Sequence, residues 1–197
     1  YSTSRHGVCM PWYAARHGLN YHLYAPTPPP SNASDSLLLP LVMHFHGGVW
    51  TNFDALSERE LNATTPFFES LQPSTPHLAL RPIAKRRQSW VSPHIGPLKG
   101  SHRLTKKPPT SLALAMAALD HVLDPRAPAD TAASTPVSPL HAPLRVDRGR
   151  MLVAGSSMGG YAAWEYIMRR PELFEAAIPI CGGGDPQQAH ALAHIRI

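Results

Sequence analysis

Residues 151–168 read MLVAGSSMGGYAAWEYIM, and this stretch decides the fold. The apolar run 151–155 is typical of a strand that is buried in a parallel sheet. Residues 159–170 follow with the pattern of a helix, which Pro171 stops. The segment 155–160, GSSMGG, lies between the two and carries three glycines. The sequence therefore predicts a strand, a very tight turn and a helix, in that order.

The tightness of this turn explains the glycines around Ser157. Gly155 and Gly159 must lack side chains where the two backbones meet, which leaves Ser157 exposed at the carboxyl end of the strand. Its hydroxyl then lies at a helix N-terminus, where backbone N–H groups and the helix dipole favour developing negative charge. We predict Ser157 as the nucleophile of an acyl transfer, with Gly160 as further support for the turn. The alternative is a serine that merely caps the helix, but a cap needs no glycine on either side.

A second motif, HFHGG at residues 44–48, follows directly after the apolar run LPLVM. A loop in this place can supply one backbone N–H to an oxyanion hole, and the residue after the nucleophile supplies another. We assign these two donors to Gly48 and Met158, with His46 and Gly47 as loop support. The alternative is that the two histidines of the motif bind a metal. No Cys, His or Asp cluster with zinc spacing follows, so we predict no metal site.

The remaining elements alternate between strands and helices. Predicted strands are Leu19 to Pro26, Leu37 to His46, His77 to Pro82 and Ala176 to Cys181, the last three of them buried. Predicted helices are 54–71, broken by Pro66, and 111–124, with Thr110 as a possible N-cap and Leu112, Met116, Leu119 and Leu123 on one face. This order predicts an α/β fold with a mostly parallel sheet and helices on both faces.

Composition limits the remaining possibilities. A chain of 197 residues, 43% of them hydrophobic, fits one domain. Residues 125–143 are rich in Pro, Ala and Ser and predict a flexible insertion in it. Two distant cysteines give no disulfide framework, and no 18-residue apolar run indicates a membrane span, so we expect a soluble protein. The net charge of +5 lacks the basic and aromatic interleaving of a nucleic-acid groove, so no nucleic-acid partner is predicted.

Residues 146–186 closely resemble the carboxylesterases and predicted peptidases related to prolyl oligopeptidase, phospholipase/carboxylesterases and polyhydroxybutyrate depolymerases. Segments 18–26 and 39–48 and the Pro82 to Trp90 spacing fall where that group has its first strands, its oxyanion loop and a loop with Pro and Trp. The resemblance implies an α/β-hydrolase that cleaves small-molecule carboxylic esters without a cofactor. Esterase or peptidase action, acyl and alcohol preference, oligomeric state and compartment stay open.

The same resemblance raises a question about the catalytic acid and base. In that group both follow the Gly run after the last of these strands, the acid after a further strand and the histidine on a late loop. Residues 191–197 resemble only the end of the preceding helix and the opening of that strand, so we expect a domain that is incomplete on its C-terminal side and impaired in activity. Asp185 precedes the position of the acid and fits a turn or N-cap role.

Two alternatives stay open at this point. One is that a histidine of this chain has taken over as the base, although the family directs none of His94, His102, His121, His141, His190 and His194 at the serine. The other is a non-catalytic hydrolase-fold fragment or pseudoenzyme that only binds a ligand or partner.

Overall fold

The computed structural model describes residues 2–4, 7–14, 19–26, 37–48, 74–85, 88–91, 100–123 and 144–197. The strands are β1 (Ser2–Ser4), β2 (Gly7–Ala14), β3 (Leu19–Pro26), β4 (Leu37–Phe45), β5 (Leu78–Pro82), β6 (Leu144–Ser156) and β7 (Ala176–Ile180). The helices are α1 (Thr110–Leu123) and α2 (Met158–Arg169), and Pro171–Leu173 and Pro186–Leu192 are 3₁₀ helices. The helix predicted at 54–71 and the insertion predicted at 125–143 lie outside the described residues.

The strands form a seven-stranded sheet in the order β1-β2-β3-β5-β4-β6-β7. The pairs β5/β4, β4/β6 and β6/β7 are parallel, while β1/β2, β2/β3 and β3/β5 are antiparallel. Following these pairings, β2, β4, β5, β6 and β7 run in one direction and β1 and β3 in the other, so the sheet is mixed but mostly parallel. The chain places β5 on one side of β4 and then β6 on the other. This reversal of strand order at β4 is the point where open α/β sheets hold ligands, beyond the carboxyl ends of the strands.

One face of the sheet carries the main hydrophobic core. Leu39, Leu41, Met43 and Phe45 of β4 are nearly or fully buried there, and so are Met151 and Val153 of β6. Helices α1 and α2 both contribute buried side chains to this same cluster. Alternate residues of a strand point to opposite faces, so these four positions of β4 make one continuous apolar row under the helices.

The opposite face is covered less evenly. Tyr24 and Ala79 are fully buried there and Val42 packs against them, whereas Leu38 is 53% exposed. The strand predicted at 37–46 is therefore fully buried on one face only. The prediction of a buried strand at 176–181 is wrong in the same way: Ala177 is buried, but Ile178 and Ile180 are 52% and 53% exposed. Their apolar character alone could not show that these two side chains are half exposed.

Helix α1 differs from its prediction in two details. Its first helical hydrogen bond runs from Ala113 N to Pro109 O, 2.9 Å, so Pro109 holds the N-cap place and Thr110 is the first helical residue. Met116 is half-buried rather than buried, because the buried face also uses Ala115 and Ala118. The helix ends at Leu123, whose carbonyl oxygen accepts a 2.7 Å hydrogen bond from Arg148 of β6. Such a cation satisfies a carbonyl that the helix itself leaves unpaired.

Tyr166 of α2 forms the centre of the packing between helix and sheet. Its ring lies edge-on to Phe45 at 5.8 Å and to Phe174 at 5.1 Å, between ring centroids. Its side chain is fully buried, and its hydroxyl has no hydrogen-bond partner in the part of the chain that the structure describes. Burial raises the pKa of Tyr166 well above its ordinary value, so the hydroxyl keeps its proton.

This packing predicts that Tyr166→Phe leaves the free energy of unfolding unchanged or raises it. A buried polar group without a partner costs about 1–3 kcal/mol, and the substitution removes only that group. Tyr166→Ala is the control and should lose about 3–5 kcal/mol because the ring contacts disappear. Urea unfolding measures both, and a clear loss of stability in Tyr166→Phe would show that the hydroxyl is bonded after all.

Candidate active site

Ser157 occupies the turn between β6 and α2. Its backbone has φ 53° and ψ −117°, a left-handed conformation that non-glycine residues rarely adopt. The side chain is exposed and makes no capping hydrogen bond to the helix. A serine that served only as a cap would accept a bond from the first turn, so this geometry speaks against the capping alternative. Strain of this kind costs on the order of 1–3 kcal/mol and occurs mostly at functional positions.

The glycines of the turn are required by close backbone contacts. A Cβ on Gly155 would lie 2.2 Å from the carbonyl oxygen of Gly159, and a Cβ on Gly159 would lie 2.2 Å from the carbonyl oxygen of Phe45. On Gly160 it would lie 2.3 Å from the carbonyl oxygen of Ile180. The first turn of α2 therefore rests directly on the carboxyl ends of β4 and β7. No other residue fits at these positions without moving a backbone.

Backbone hydrogen bonds hold the turn in place. Ser157 N donates to Ile180 O at 2.8 Å, and Tyr161 N donates to Ser157 O at 3.1 Å. The first bond joins the turn to β7 and the second begins the helix. The strained serine is thus fixed on two sides through its main chain. Its hydroxyl is not needed to hold the turn.

The loop predicted to hold an oxyanion begins at the same place. The carbonyl oxygens of Phe45 and His46 both face Gly159, at 2.2 and 2.8 Å from an added Cβ. Residues 46–48 therefore leave β4 directly beside the start of α2. Met158 is the first residue of α2, so its N–H has no acceptor within the helix. The structure brings the loop of Gly47 and Gly48 to the edge of the sheet where Met158 and Ser157 lie.

His46 is fully buried and uses both ring nitrogens within the protein. Nδ1 lies 2.6 Å from Gly47 O, and Nε2 accepts a 3.0 Å hydrogen bond from Ala84 N. A carbonyl can only accept and an amide N–H can only donate, so Nδ1 carries the hydrogen and the ring is neutral. Trp90 Nε1 also donates to His46 O at 3.0 Å. These bonds tie the loop to Ala84 and Trp90 and leave His46 no lone pair for a metal.

His44, at the end of β4, has no binding role that the structure supports. Burial lowers its pKa from 6.5 to about 4, with a smaller contribution from the positive charge of Arg81. No group of three or more His, Cys, Asp or Glu side chains among the described residues is placed to hold a metal ion. The side chain is therefore an uncharged neighbour of the loop at neutral pH.

Of the four described histidines that the sequence left as possible bases, His121 lies in the last turn of α1, and the other three are engaged elsewhere. His190 Nδ1 lies 3.0 Å from Gln187 O, and His194 Nε2 lies 3.0 Å from Pro171 O. His102 is buried and pairs with the carboxylate of Glu165, as a catalytic histidine pairs with its acid, but its other nitrogen contacts Gly183 O. No hydrogen bond joins any of these three to Ser157. His94 and His141 lie outside the described residues.

Asp185 has the capping role that the sequence indicates. Its Oδ1 accepts a 3.0 Å hydrogen bond from Gln187 N, at the start of the 3₁₀ helix Pro186–Leu192. Its Oδ2 accepts from Leu104 N at 3.1 Å. After this helix, Arg196 forms an isolated parallel bridge with Ala176 of β7. Residues 195–197 therefore do open a further strand position beside β7, as expected.

Sequence reasoning missed the polar groups that pack behind the site. The bond from Trp90 to the oxyanion loop and the contact between His102 and Glu165 join positions that are 44 and 63 residues apart. One signal was available for Glu165, since a carboxylate in the otherwise apolar face of α2 must find a partner when it is buried. Nothing local identifies that partner as His102.

Comparisons with known proteins agree with this fold. No protein-family model matches the sequence, and no curated protein matches it. Among solved structures, a thermostable esterase has 25% identity and a TM-score of 0.63 over 96% of this chain and 44% of its own. An S-formylglutathione hydrolase from Staphylococcus aureus has 15% identity and a TM-score of 0.52, covering 88% and 56%. A ferulic acid esterase has 16% identity and a TM-score of 0.51, covering 87% and 55%.

The chain has the α/β-hydrolase fold. These neighbours are esterases and a hydrolase, which is what the sequence resemblance implies. The chain spans about half the length of each: 44%, 56% and 55%. Where the structure describes a helix, none has the length and apolar character needed to cross a membrane. A fold of this kind supports many chemistries, so the function has to be argued from the site.

The close contacts predict that Gly159→Ala destabilises the protein by about 1–3 kcal/mol or more, since the added methyl group meets backbone atoms. Gly149→Ala is a matched control, because its Cβ would come no nearer than 3.4 Å to Asp147 Oδ1. Both changes restrict the unfolded chain equally. Thermal unfolding compares them, and equal stability of the two variants would contradict the contact at Phe45.

The His44 pKa predicts a dependence of stability on pH. The folded value of about 4 is below the ordinary 6.5, so the unfolded chain binds more protons between these values. The stabilisation linked to neutral His44 should be fully present above pH 6.5. As the pH drops to 4, the free energy of unfolding should fall by at most about 3 kcal/mol. Burial also lowers the pKa of His77, which acts in the same direction. In urea titrations at pH 7 and 4.5, His44→Gln should reduce the difference in the free energy of unfolding, and an unchanged difference would contradict the lowered pKa of His44.

Proposed function

We propose that this protein is a serine hydrolase of carboxylic esters with Ser157 as the nucleophile. The observation that carries the proposal is the exposed, left-handed Ser157 at the N-terminus of α2, held by its backbone and not by its hydroxyl. The esterases among the similar structures support the choice of substrate. Small-molecule esters are the proposed substrates, and the chemistry requires no cofactor.

In the proposed reaction, Ser157 Oγ attacks the ester carbonyl carbon and loses its proton to a histidine. The backbone N–H groups of Gly48 and Met158 stabilise the negative oxygen of the tetrahedral intermediate. The alcohol leaves with the proton from the histidine, and water then hydrolyses the acyl-enzyme by the same steps. The start of α2 favours the developing charge, because its first N–H groups point toward the site and its dipole is positive there.

We propose that the histidine and its acid lie outside the described residues. The described His102, His190 and His194 make their hydrogen bonds to other groups. The sequence resemblance implies an acid and a histidine after the Gly run that follows β7, and the bridge at Arg196 supports a strand in that direction. Triad members act as a unit, so loss of the histidine is expected to lower kcat by a factor on the order of 10⁶.

A fluorophosphonate probe tests the nucleophile directly. The probe should label Ser157, and Ser157→Ala should abolish labelling and the hydrolysis of a p-nitrophenyl acyl ester. Ser156→Ala is the matched control, since Ser156 is the neighbouring hydroxyl at the end of β6 and should be dispensable. Folded protein that stays unlabelled, or a Ser157→Ala variant that still reacts, would favour the alternative of a non-catalytic hydrolase-fold protein that binds a ligand or partner.

A further inference from the structure

Residues 100–105 pack tightly on the loop after β7, which comprises residues 181–185 and is called the β7 loop below. His102 N donates to Gly184 O at 3.2 Å, and Leu104 N donates to Asp185 Oδ2 at 3.1 Å. A Cβ on Gly183 would lie 1.9 Å from Gly100 O, so the two backbones touch. The β7 loop is thus held from outside by a segment that is about 80 residues away in sequence.

His102 lies at the centre of this contact, between two acceptors. Its Nδ1 is 2.7 Å from Gly183 O in the β7 loop, and its Nε2 is 3.1 Å from Glu165 Oε2 on α2. Both side chains are almost fully buried, at 3% and 1% exposure for His102 and Glu165. Oxygen atoms of a carbonyl and a carboxylate accept hydrogen bonds, so each nitrogen acts as the donor toward its partner. The ring therefore connects the loop with the helix.

Arg169 completes the buried group. Its Nε and one terminal nitrogen donate to Glu165 Oε1 at 2.9 and 2.7 Å, and the same terminal nitrogen donates to Thr105 O at 2.9 Å. The Glu165 carboxylate thereby receives His102 on one oxygen and Arg169 on the other. One end of the segment 102–105 is attached to α2 by the contact of His102 with Glu165, and the other by the bond from Arg169 to Thr105 O. A buried carboxylate with three donors is a rigid anchor, since losing any donor leaves charge unpaired.

The β7 loop is also in contact with the turn that carries Ser157. It starts after Ile180, whose carbonyl oxygen accepts the Ser157 N–H. A Cβ on Gly182 would lie 2.2 Å from the carbonyl carbon of Gly160, so the loop rests on the first turn of α2. A shift of the β7 loop must therefore move the backbone that lies beside Ser157.

We propose that His102 is a positioning residue that holds the β7 loop against the first turn of α2, with Glu165 as its anchor. The bond from Nδ1 to Gly183 O does the positioning, and the bond from Nε2 fixes the ring. The consequence for reaction at Ser157 rests on the proposed function, whereas the position of the loop does not. The competing role is structural: His102 would serve only to neutralise and pair the buried Glu165.

Two conservative substitutions separate these roles. His102→Asn keeps an N–H donor near Nδ1, within reach of Gly183 O, but loses the contact with Glu165. His102→Gln keeps a donor near Nε2, within reach of Glu165, but loses Gly183. If His102 positions the β7 loop, the loop should stay docked better in His102→Asn than in His102→Gln. If the role of His102 is purely structural, the order should be the opposite.

Hydrogen–deuterium exchange of the whole protein reads out the loop without any assumption about activity. The Leu104 amide, bonded to Asp185, and the Asp185 amide, bonded to Met168 Sδ, report whether the loop is docked. We expect both to exchange about tenfold faster in His102→Gln, as for one lost hydrogen bond, and within about threefold of wild type in His102→Asn. The Ala177 amide, bonded to Arg196 O, is the internal control and should not change.

The rate of fluorophosphonate labelling at Ser157 should follow the same order, about tenfold slower in His102→Gln and close to wild type in His102→Asn. Equal exchange in the two variants, or better protection in His102→Gln, would overturn the positioning role. If the wild type is not labelled, the proposed function fails, and the exchange experiment still decides on His102 by itself.

Discussion

The contact between the first turn of α2 and the ends of β4 and β7 is the constraint on which the site depends. Gly159 and Gly160 lie against carbonyl oxygens of Phe45 and Ile180, at distances that exclude a single methyl group. The helix can approach the sheet this closely only because these positions have no side chain. The turn before it is then too short for an ordinary conformation, and Ser157 takes the left-handed one. The exposure of its hydroxyl follows from backbone packing several residues away.

The same contact places the loop after β4, residues 46–48, for which an oxyanion role is proposed. Because the carbonyls of Phe45 and His46 face Gly159, the chain that leaves β4 starts beside the N-terminus of α2. Buried polar groups then fix its course, with His46 bonded to Ala84 and its carbonyl bonded to Trp90. Each of these bonds satisfies a main-chain group that would otherwise be buried without a partner. The loop is therefore part of the rigid scaffold, and it carries Gly48, the proposed oxyanion donor.

The sequence predicted these local features well for a physical reason. A strand, a glycine-flanked turn and a helix are all specified within 18 residues, by periodicity and by residues that only one backbone geometry explains. The glycine-containing loop at residues 46–48 and the N-cap at Asp185 are local in the same sense. Burial of β7 was predicted wrongly, because apolar residues show that a strand can be buried but not that something covers it. The N-cap of α1 lies one residue before the predicted position, which is within the usual precision for helix ends.

Contacts between distant segments could not be predicted from local patterns. The bond from Ser157 N to Ile180 O, and the attachment of residues 100–105 to the β7 loop through His102, depend on which strands become neighbours in the sheet. Periodicity identifies the face on which a residue lies and not the residue that it meets. Glu165 shows the difference: its place in the apolar face of α2 demands a partner, yet only the fold identifies His102 and Arg169.

The packing around the turn also limits where a general base can stand. The space beneath Ser157 is filled by backbone, with Ile180 bonded to its amide and Phe45 in contact with Gly159. The pair of His102 and Glu165 has the composition of a catalytic dyad, but the second ring nitrogen of His102 contacts Gly183 O in the β7 loop and not Ser157. A base must therefore reach the hydroxyl from the solvent side, beyond the carboxyl edge of the sheet. In an α/β sheet, loops line this edge, so a histidine on a later loop of the chain can reach it.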